Sequence, residues 1–218
     1  MKAMILSAGR GERMRPLTDT LPKPLLEVQG KPLIVWHIEK LSACGFEEII
    51  INIAHLGYKI KEFLGNGSKY GINIAYSDEQ KEGALESAGG IIKALPLLGN
   101  DTFLVVNGDI FCDYDFDGNF KLEGRLAHLI LVPNPEHNPN GDFSLNGTSV
   151  LNDADIKYTF SGIAYYNPEF FKGFKPEKLA LAPLLRSAIK QEKVSGELYK
   201  NKWYDIGTPQ RLEKINRK

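Results

Sequence analysis

Leu6-Ser7-Ala8-Gly9-Arg10-Gly11-Glu12-Arg13-Met14-Arg15-Pro16-Leu17-Thr18 follows a short apolar strand and is succeeded by Pro22-Lys23-Pro24-Leu25. Small residues, two glycines and several cations placed directly after a strand point to an anionic ligand lying on the backbone. Glycine lets the main chain approach a ligand closely and adopt positive φ. Consecutive N–H groups in such a turn form a concave anion site. Arg13, Arg15 and Lys23 carry charge of the right sign for phosphates, and the two prolines stiffen the chain around Lys23. The segment reads as a nucleoside triphosphate site. The dinucleotide fingerprint G-x-G-x-x-G fails here, because Met14 stands where the third glycine belongs. The P-loop pattern G-x-x-x-x-G-K-[ST] occurs nowhere in the chain.

The chain has 218 residues, 43% apolar and 25% charged, an ordinary globular composition. Its formal net charge is zero, which speaks against nucleic acid as a main partner. The expected partners are a nucleoside triphosphate and a second small molecule. No apolar run reaches the roughly 18 residues of a membrane span, and the N-terminus lacks a secretory pattern. A cytoplasmic location is the resulting expectation. Cys44 and Cys112 form no C-x-x-C pair and read as thiols rather than a disulfide.

The first half alternates strands with helical patterns, which predicts a parallel sheet covered on both faces. Helices are expected over residues 32–44, 57–64 and 87–95, the last stopping before Pro96. Strands are expected over residues 3–6, 48–53, 72–76, 102–107, 126–132 and 163–166. Asn146-Gly147 predicts a hairpin turn between strands 143–145 and 148–151. Further helices are expected over 184–190 and 209–216. The chain reads as one domain, with residues 1–110 as a nucleotide-binding half. Residues 111–218 read as an insertion that closes over the sheet edge and holds the second substrate.

In an open α/β sheet, ligands bind beyond the carboxyl ends of the strands. The glycine loop and Asp109, which follows Val105-Val106-Asn107-Gly108, both fall there. Asp205 sits in Trp203-Tyr204-Asp205-Ile206-Gly207-Thr208. One carboxylate from each half makes a sensible pair for Mg²⁺, a hard cation that takes oxygen ligands. Asp113-Tyr114-Asp115-Phe116-Asp117-Gly118 lacks the twelfth-position glutamate of a calcium loop. Its aromatic residues are expected to turn inward. The four histidines show no metal or triad spacing.

The run from Leu6 to Leu25 resembles the sugar-1-phosphate nucleotidyltransferases, whose pattern is L-A-A-G-x-G-x-R-[ML]-x-P-L-T followed by P-K-P-L. Ser7 replaces a small residue of that pattern. The resemblance continues through Asn107-Gly108-Asp109 and Trp203–Thr208, so it covers nearly the whole chain. It implies a Rossmann-like mixed α/β sheet sandwiched by helices, of the nucleotide-diphospho-sugar transferase type, with a small inserted β subregion for the sugar. It implies that Ala8, Gly9, Gly11 and Glu12 hold the nucleotide, with Arg13 and Lys23 on its phosphates. Arg13, Lys23 and Asp109 would be catalytic, and Asp109 and Asp205 would hold Mg²⁺. Glu86, Ser87 and Gly89 would line the base pocket, Glu86 standing where the family has glycine. Asn107, Gly141, Asp142, Thr159, Ser161 and Gly162 would face the sugar. The E-K-P segment that binds sugar phosphate in several relatives is absent, and Lys157 is the candidate for that task. The family's oligomerisation tails are missing too, so a monomer is expected. The finer likeness implies UTP as donor and N-acetylmuramic acid 1-phosphate as acceptor, in cell-wall recycling. Glucose, mannose or heptose 1-phosphate, or phosphocholine, with CTP, GTP or dTTP as donor, remain alternatives. So does a nucleotide-sugar-binding module without catalysis.

Overall fold

The computed structural model describes residues 1–217. Its strands, in chain order, are β1 (Ala3–Leu6), β2 (Glu27–Val28), β3 (Lys31–Pro32), β4 (Glu48–Ile53), β5 (Asn73–Asp78), β6 (Phe103–Asn107), β7 (Ile110–Cys112), β8 (Ala127–Val132), β9 (Ser144–Asn146), β10 (Ser149–Leu151), β11 (Thr159–Tyr166), β12 (Val194–Leu198) and β13 (Trp203–Asp205). Its helices are α1 (Leu33–Ala43), α2 (Gly57–Leu64), α3 (Glu86–Leu98), α4 (Leu181–Lys190) and α5 (Pro209–Asn216).

Nine strands form one sheet in the order β5-β4-β1-β6-β11-β8-β12-β10-β9. β1 pairs in parallel with both β4 and β6, while β11 runs antiparallel to β6. The central strands are near-continuous apolar runs because both their faces are covered. Alternation along β1 shows this directly. Met4 packs with Ile50, Val105, Leu129 and residues of α3 and α4. Its neighbours Ala3 and Ile5 pack with Ile49, Leu104, Ile130 and residues of α1 and α2. The molecule therefore has three layers, helix–sheet–helix.

The second half does not sit over the sheet edge as an insertion. Its strands β8, β10, β11 and β12 lengthen the same sheet, with β11 seated directly beside β6. Only β7 and β13 leave it, forming a separate antiparallel ribbon.

Two local expectations shift. α3 passes through Pro96 to Leu98 rather than stopping before it. Pro96 lies in the last turn, Leu98 is buried in the core, and the Gly99 N–H closes the end on the Leu95 carbonyl at 2.9 Å. Packing of that turn outweighs one missing N–H. The hairpin turn moves by one residue: Asn146 pairs with Ser149, leaving Gly147-Thr148 as the loop. Glycine then takes the first central position, where left-handed φ is needed.

Cys44 and Cys112 are free thiols. In the acidic run, Phe116 is buried and Tyr114 packs edge-on against it at 5.6 Å, as expected of inward-turned aromatics.

Candidate active site

The register of the parallel strands builds the site. Leu6 at the end of β1 is level with Asn52 on β4 and Asn107 on β6. The chain leaves all three strands on one edge, where an open cleft of about 310 Å³ forms. Its walls include Ser7, Ala8, Gly9, Gly11, Glu12, Arg13, Lys23, Glu86, Ser87, Asn107 and Asp109. The phosphate loop and Asp109, far apart in sequence, meet here as the strand ends require.

Gly11 has φ +69, and a Cβ there would come within 2.9 Å of Thr18 Cγ2. Thr18 in turn donates its hydroxyl to the Gly11 carbonyl at 2.8 Å, pinning the loop. Lys23 is nearly buried, and its Nζ donates to Asp109 Oδ2 at 2.7 Å. Arg13 is exposed on the cleft wall. Arg15 is not on that wall; it forms an exposed pair with Asp19 at 2.7 Å.

The β7–β13 ribbon brings the two aspartates together. Asp205 is in register with Ile110, and the Ile206 N–H donates to the Asp109 carbonyl at 2.8 Å. Asp205 Oδ2 accepts from Arg211 at 2.6 Å and faces His137 Nε2 at 3.1 Å. Its Oδ1 is buried without a hydrogen-bond partner. That oxygen stands 2.6 Å from where a Cβ on Gly207 would be, and Gly207 lines the cleft. Asp205 itself lines a neighbouring pocket with His137 and Arg211 rather than this cleft, and its unpartnered carboxylate oxygen is a ligand type that an oxygen-seeking cation takes. Among the described residues no cluster of three or more His, Cys, Asp or Glu is arranged as a metal cage. Mg²⁺ needs none, since it usually takes one or two carboxylates and completes its shell with phosphate and water.

Glu86 lines the cleft at the first position of α3 with φ +61, a conformation that disfavours any side chain beyond glycine. Ser87 lines the same wall. Gly89 is turned to packing instead, its N–H 3.2 Å from the Leu179 carbonyl and the Glu177 carbonyl lying against it.

Of the residues expected at the sugar, only Asn107 is on the cleft wall. Gly162 abuts the Asn107 amide at the bulge of β11. Ser161 is buried, donates to the Ile130 carbonyl at 2.6 Å and accepts from Ile163 N–H. Thr159 donates to Asn134 and accepts from Asn138. Asp142 accepts from the Phe160 N–H at 2.8 Å, and Gly141 lies against Lys157. Lys157 pairs with Asp153 at 2.7 Å. This group ties the 133–142 loop to β11.

Sequence reasoning missed Asn52, Glu79, Ala84 and Gly207 on the cleft wall, and His137 and Arg211 on Asp205. Gly207 was within a quoted motif. Asn52 carried one weak signal, a polar residue near the end of a buried strand, and Glu79, which follows the half-exposed edge strand β5, carried none.

A three-layer α/β sheet with a glycine loop and a lysine–aspartate pair at its strand ends, and a second aspartate joined to the first through the β7–β13 ribbon, defines a nucleotidyl-transferring enzyme. The family model "Nucleotidyl transferase" matches residues 2–143, and the chain belongs to that family. It is 54% identical, over 98% of its length and 96% of the other's, to the N-acetylmuramate alpha-1-phosphate uridylyltransferase of Neisseria meningitidis serogroup B. It is 38% identical to a UTP–glucose-1-phosphate uridylyltransferase of Synechocystis, over 62% of this chain and 38% of that one. Its fold matches, at TM-score 0.86 and 24% identity, a Bacillus anthracis protein assigned as a glucose-1-phosphate thymidylyltransferase, covering 100% of this chain and 94% of that one. Among the described residues no helix is long and apolar enough to cross a membrane.

Proposed function

We propose that the protein transfers the uridylyl group of UTP to N-acetylmuramic acid 1-phosphate, giving the UDP-sugar and pyrophosphate. The relative that is 54% identical end to end bears that activity in its name. The observation that carries the reading is the Lys23–Asp109 pair, 2.7 Å apart in the cleft that the Gly9–Arg13 loop lines.

An anomeric phosphate oxygen attacks the α-phosphorus of UTP, a new P–O bond forms, the α–β bond breaks and pyrophosphate departs. A phosphate monoester is largely dianionic near pH 7, its second pKa being about 6. The nucleophile needs no general base, which fits a cleft without a histidine on its wall. The obstacle is repulsion between two anions, met by positioning and by neutralising charge. Lys23 presents its ammonium between the reactants, the loop amides hold the triphosphate, and Arg13 takes the departing pyrophosphate. Asp109 and Asp205 would hold Mg²⁺, which supplies further neutralisation of phosphate charge when bound. Asn107 faces the sugar.

We assign the reaction to the cytoplasm, where nucleoside triphosphates are made, and to a monomer. Of the large exposed apolar side chains, Leu17, Leu97, Ile156 and Phe174 lie on separate elements, while Tyr58 and Phe63 share α2 but, five residues apart, project to different sides of it. Scattered residues of this kind do not make an interface.

Pyrophosphate release with UTP, CTP, GTP and dTTP against N-acetylmuramic acid, glucose and mannose 1-phosphates tests the reading. The highest kcat/KM is expected for UTP with N-acetylmuramic acid 1-phosphate. A higher value for any other pair overturns it.

A further inference from the structure

Asn52 and Glu79 are buried polar residues on the cleft wall with no part in the chemistry described so far. They belong to one continuous hydrogen-bonded chain. The Ser7 N–H donates to Asn52 Oδ1 at 2.7 Å. Asn52 Nδ2 donates to Glu79 Oε1 at 2.7 Å. The Leu85 N–H donates to Glu79 Oε2 at 2.8 Å. Ser7 opens the phosphate loop. Leu85 precedes Glu86 and Ser87, which line the same cleft. We propose that Asn52 and Glu79 are a positioning pair that fixes the spacing between the phosphate loop and the 79–87 segment, and so sets the affinity for the nucleoside triphosphate.

The donor and acceptor count makes the pair specific. Ser7 offers an N–H, so the Asn52 amide must turn its oxygen to Ser7 and its NH₂ to Glu79. Glu79 then faces two donors, the Asn52 NH₂ and the Leu85 N–H. Only a carboxylate presents two acceptors; a glutamine would set its own NH₂ against one of those donors. Burying a carboxylate is costly unless it is hydrogen-bonded. Burial pushes the Glu79 carboxyl pKa upward, opposed by its bonds from Leu85 and Asn52. The neighbouring helix is cut to fit. A Cβ on Gly90 would lie 2.8 Å from both Asn52 Nδ2 and Glu79 Oε1. An alanine there would drive the pair apart.

This inference rests on the cleft being a nucleoside triphosphate site. UTP binding by calorimetry, steady-state kinetics and thermal melts are compared for wild type, Glu79→Gln, Asn52→Asp and the double variant. Glu79→Gln is expected to raise the UTP Kd and KM about tenfold, the loss of one or two buried hydrogen bonds. kcat and the KM for the sugar phosphate should stay within about threefold. In the double variant the new carboxylate at position 52 accepts from Ser7 and from the new amide at 79, whose oxygen accepts from Leu85. Every bond is restored with one donor direction reversed. UTP affinity should return to within about threefold of wild type, a rescue that mere structural damage would not show. UTP affinity unchanged in Glu79→Gln, or a folded double variant binding UTP no better than either single variant, overturns the proposal. If Glu79→Gln does not melt cooperatively, the double variant against wild type decides by the same threefold margin. Wild-type protein that fails to bind UTP overturns the uridylyl reading instead.

Discussion

Lys23 and Asp109 meet with the lysine nearly dry and the aspartate 37% exposed. Because the aspartate remains solvated and an asparagine in its place would still offer the Lys23 ammonium an oxygen, that exchange should cost the fold about 1 kcal/mol. The chemistry should suffer far more. Asp109→Asn is expected to lower kcat/KM by about a hundredfold or more, with the melting temperature nearly unchanged; pyrophosphate release and a melt on the same sample check both. His37 makes the opposite case, a buried group that matters to stability. Burial lowers its pKa from 6.5 to about 4. The unfolded chain therefore takes up a proton as pH falls below 6.5 while the folded chain does not, and stability is lost in that window down to pH 4. Between pH 7 and 5 this group alone should remove about 2 kcal/mol. His37→Leu should flatten that limb in urea titrations at the two pH values; an equal loss in the variant would assign the acid sensitivity elsewhere. Lys23 was legible in the sequence because prolines on either side leave it little freedom and little purpose but a ligand. Asn52 and Glu79 were not legible. Their roles depend on which donors face them, and that is decided by strand register rather than by local pattern.

At the scale of elements, the phosphate loop and the start of α3 handle left-handed backbone in opposite ways. The loop places Gly11 at φ +69, with Thr18 packed against it. Gly11→Ala should cost about 2 kcal/mol, from left-handed strain and crowding, and should raise the UTP KM. Glu86 holds φ +61 without glycine's freedom. Left-handed backbone costs a non-glycine residue about 1–2 kcal/mol, and glycine's extra unfolded-state entropy returns part of that. Glu86→Gly should therefore stabilise the protein by up to about 1 kcal/mol in urea unfolding, and a net loss would mean that its 3.8 Å pair with Lys178 outweighs the strain. Strain held at a cleft wall suggests selection for the side chain that causes it. Element types were readable because apolar periodicity differs between strand and helix. Boundaries slipped where packing overrode local chemistry, as in α3 beyond Pro96, where burial of Leu98 holds the final turn.

At the scale of the whole molecule, the division into a nucleotide half and a sugar half has no matching division in the core. β6, the strand that delivers Asn107 and Asp109, is flanked by β1 from the first half and β11 from the second. Met4, Val105, Leu129 and Ala164 share one apolar cluster across that seam. Composition could not reveal this, because a strand that returns from the far end of the chain to the middle of a sheet leaves no local mark. The consequence is testable. A fragment of residues 1–110 would expose the β6 edge, which β11 covers, and would strip the apolar face that α4 covers on the Met4 side. Neither loss can be met within the fragment, since an unpaired central edge and an open core face both favour aggregation or collapse. The fragment should show no cooperative thermal transition and no UTP binding, while the intact chain melts in one step and is stabilised by UTP through linkage, by about 2.7 kcal/mol at a hundred times Kd. A fragment that melts cooperatively would show that the halves are separate folding units and that the continuous sheet is a docking of two domains.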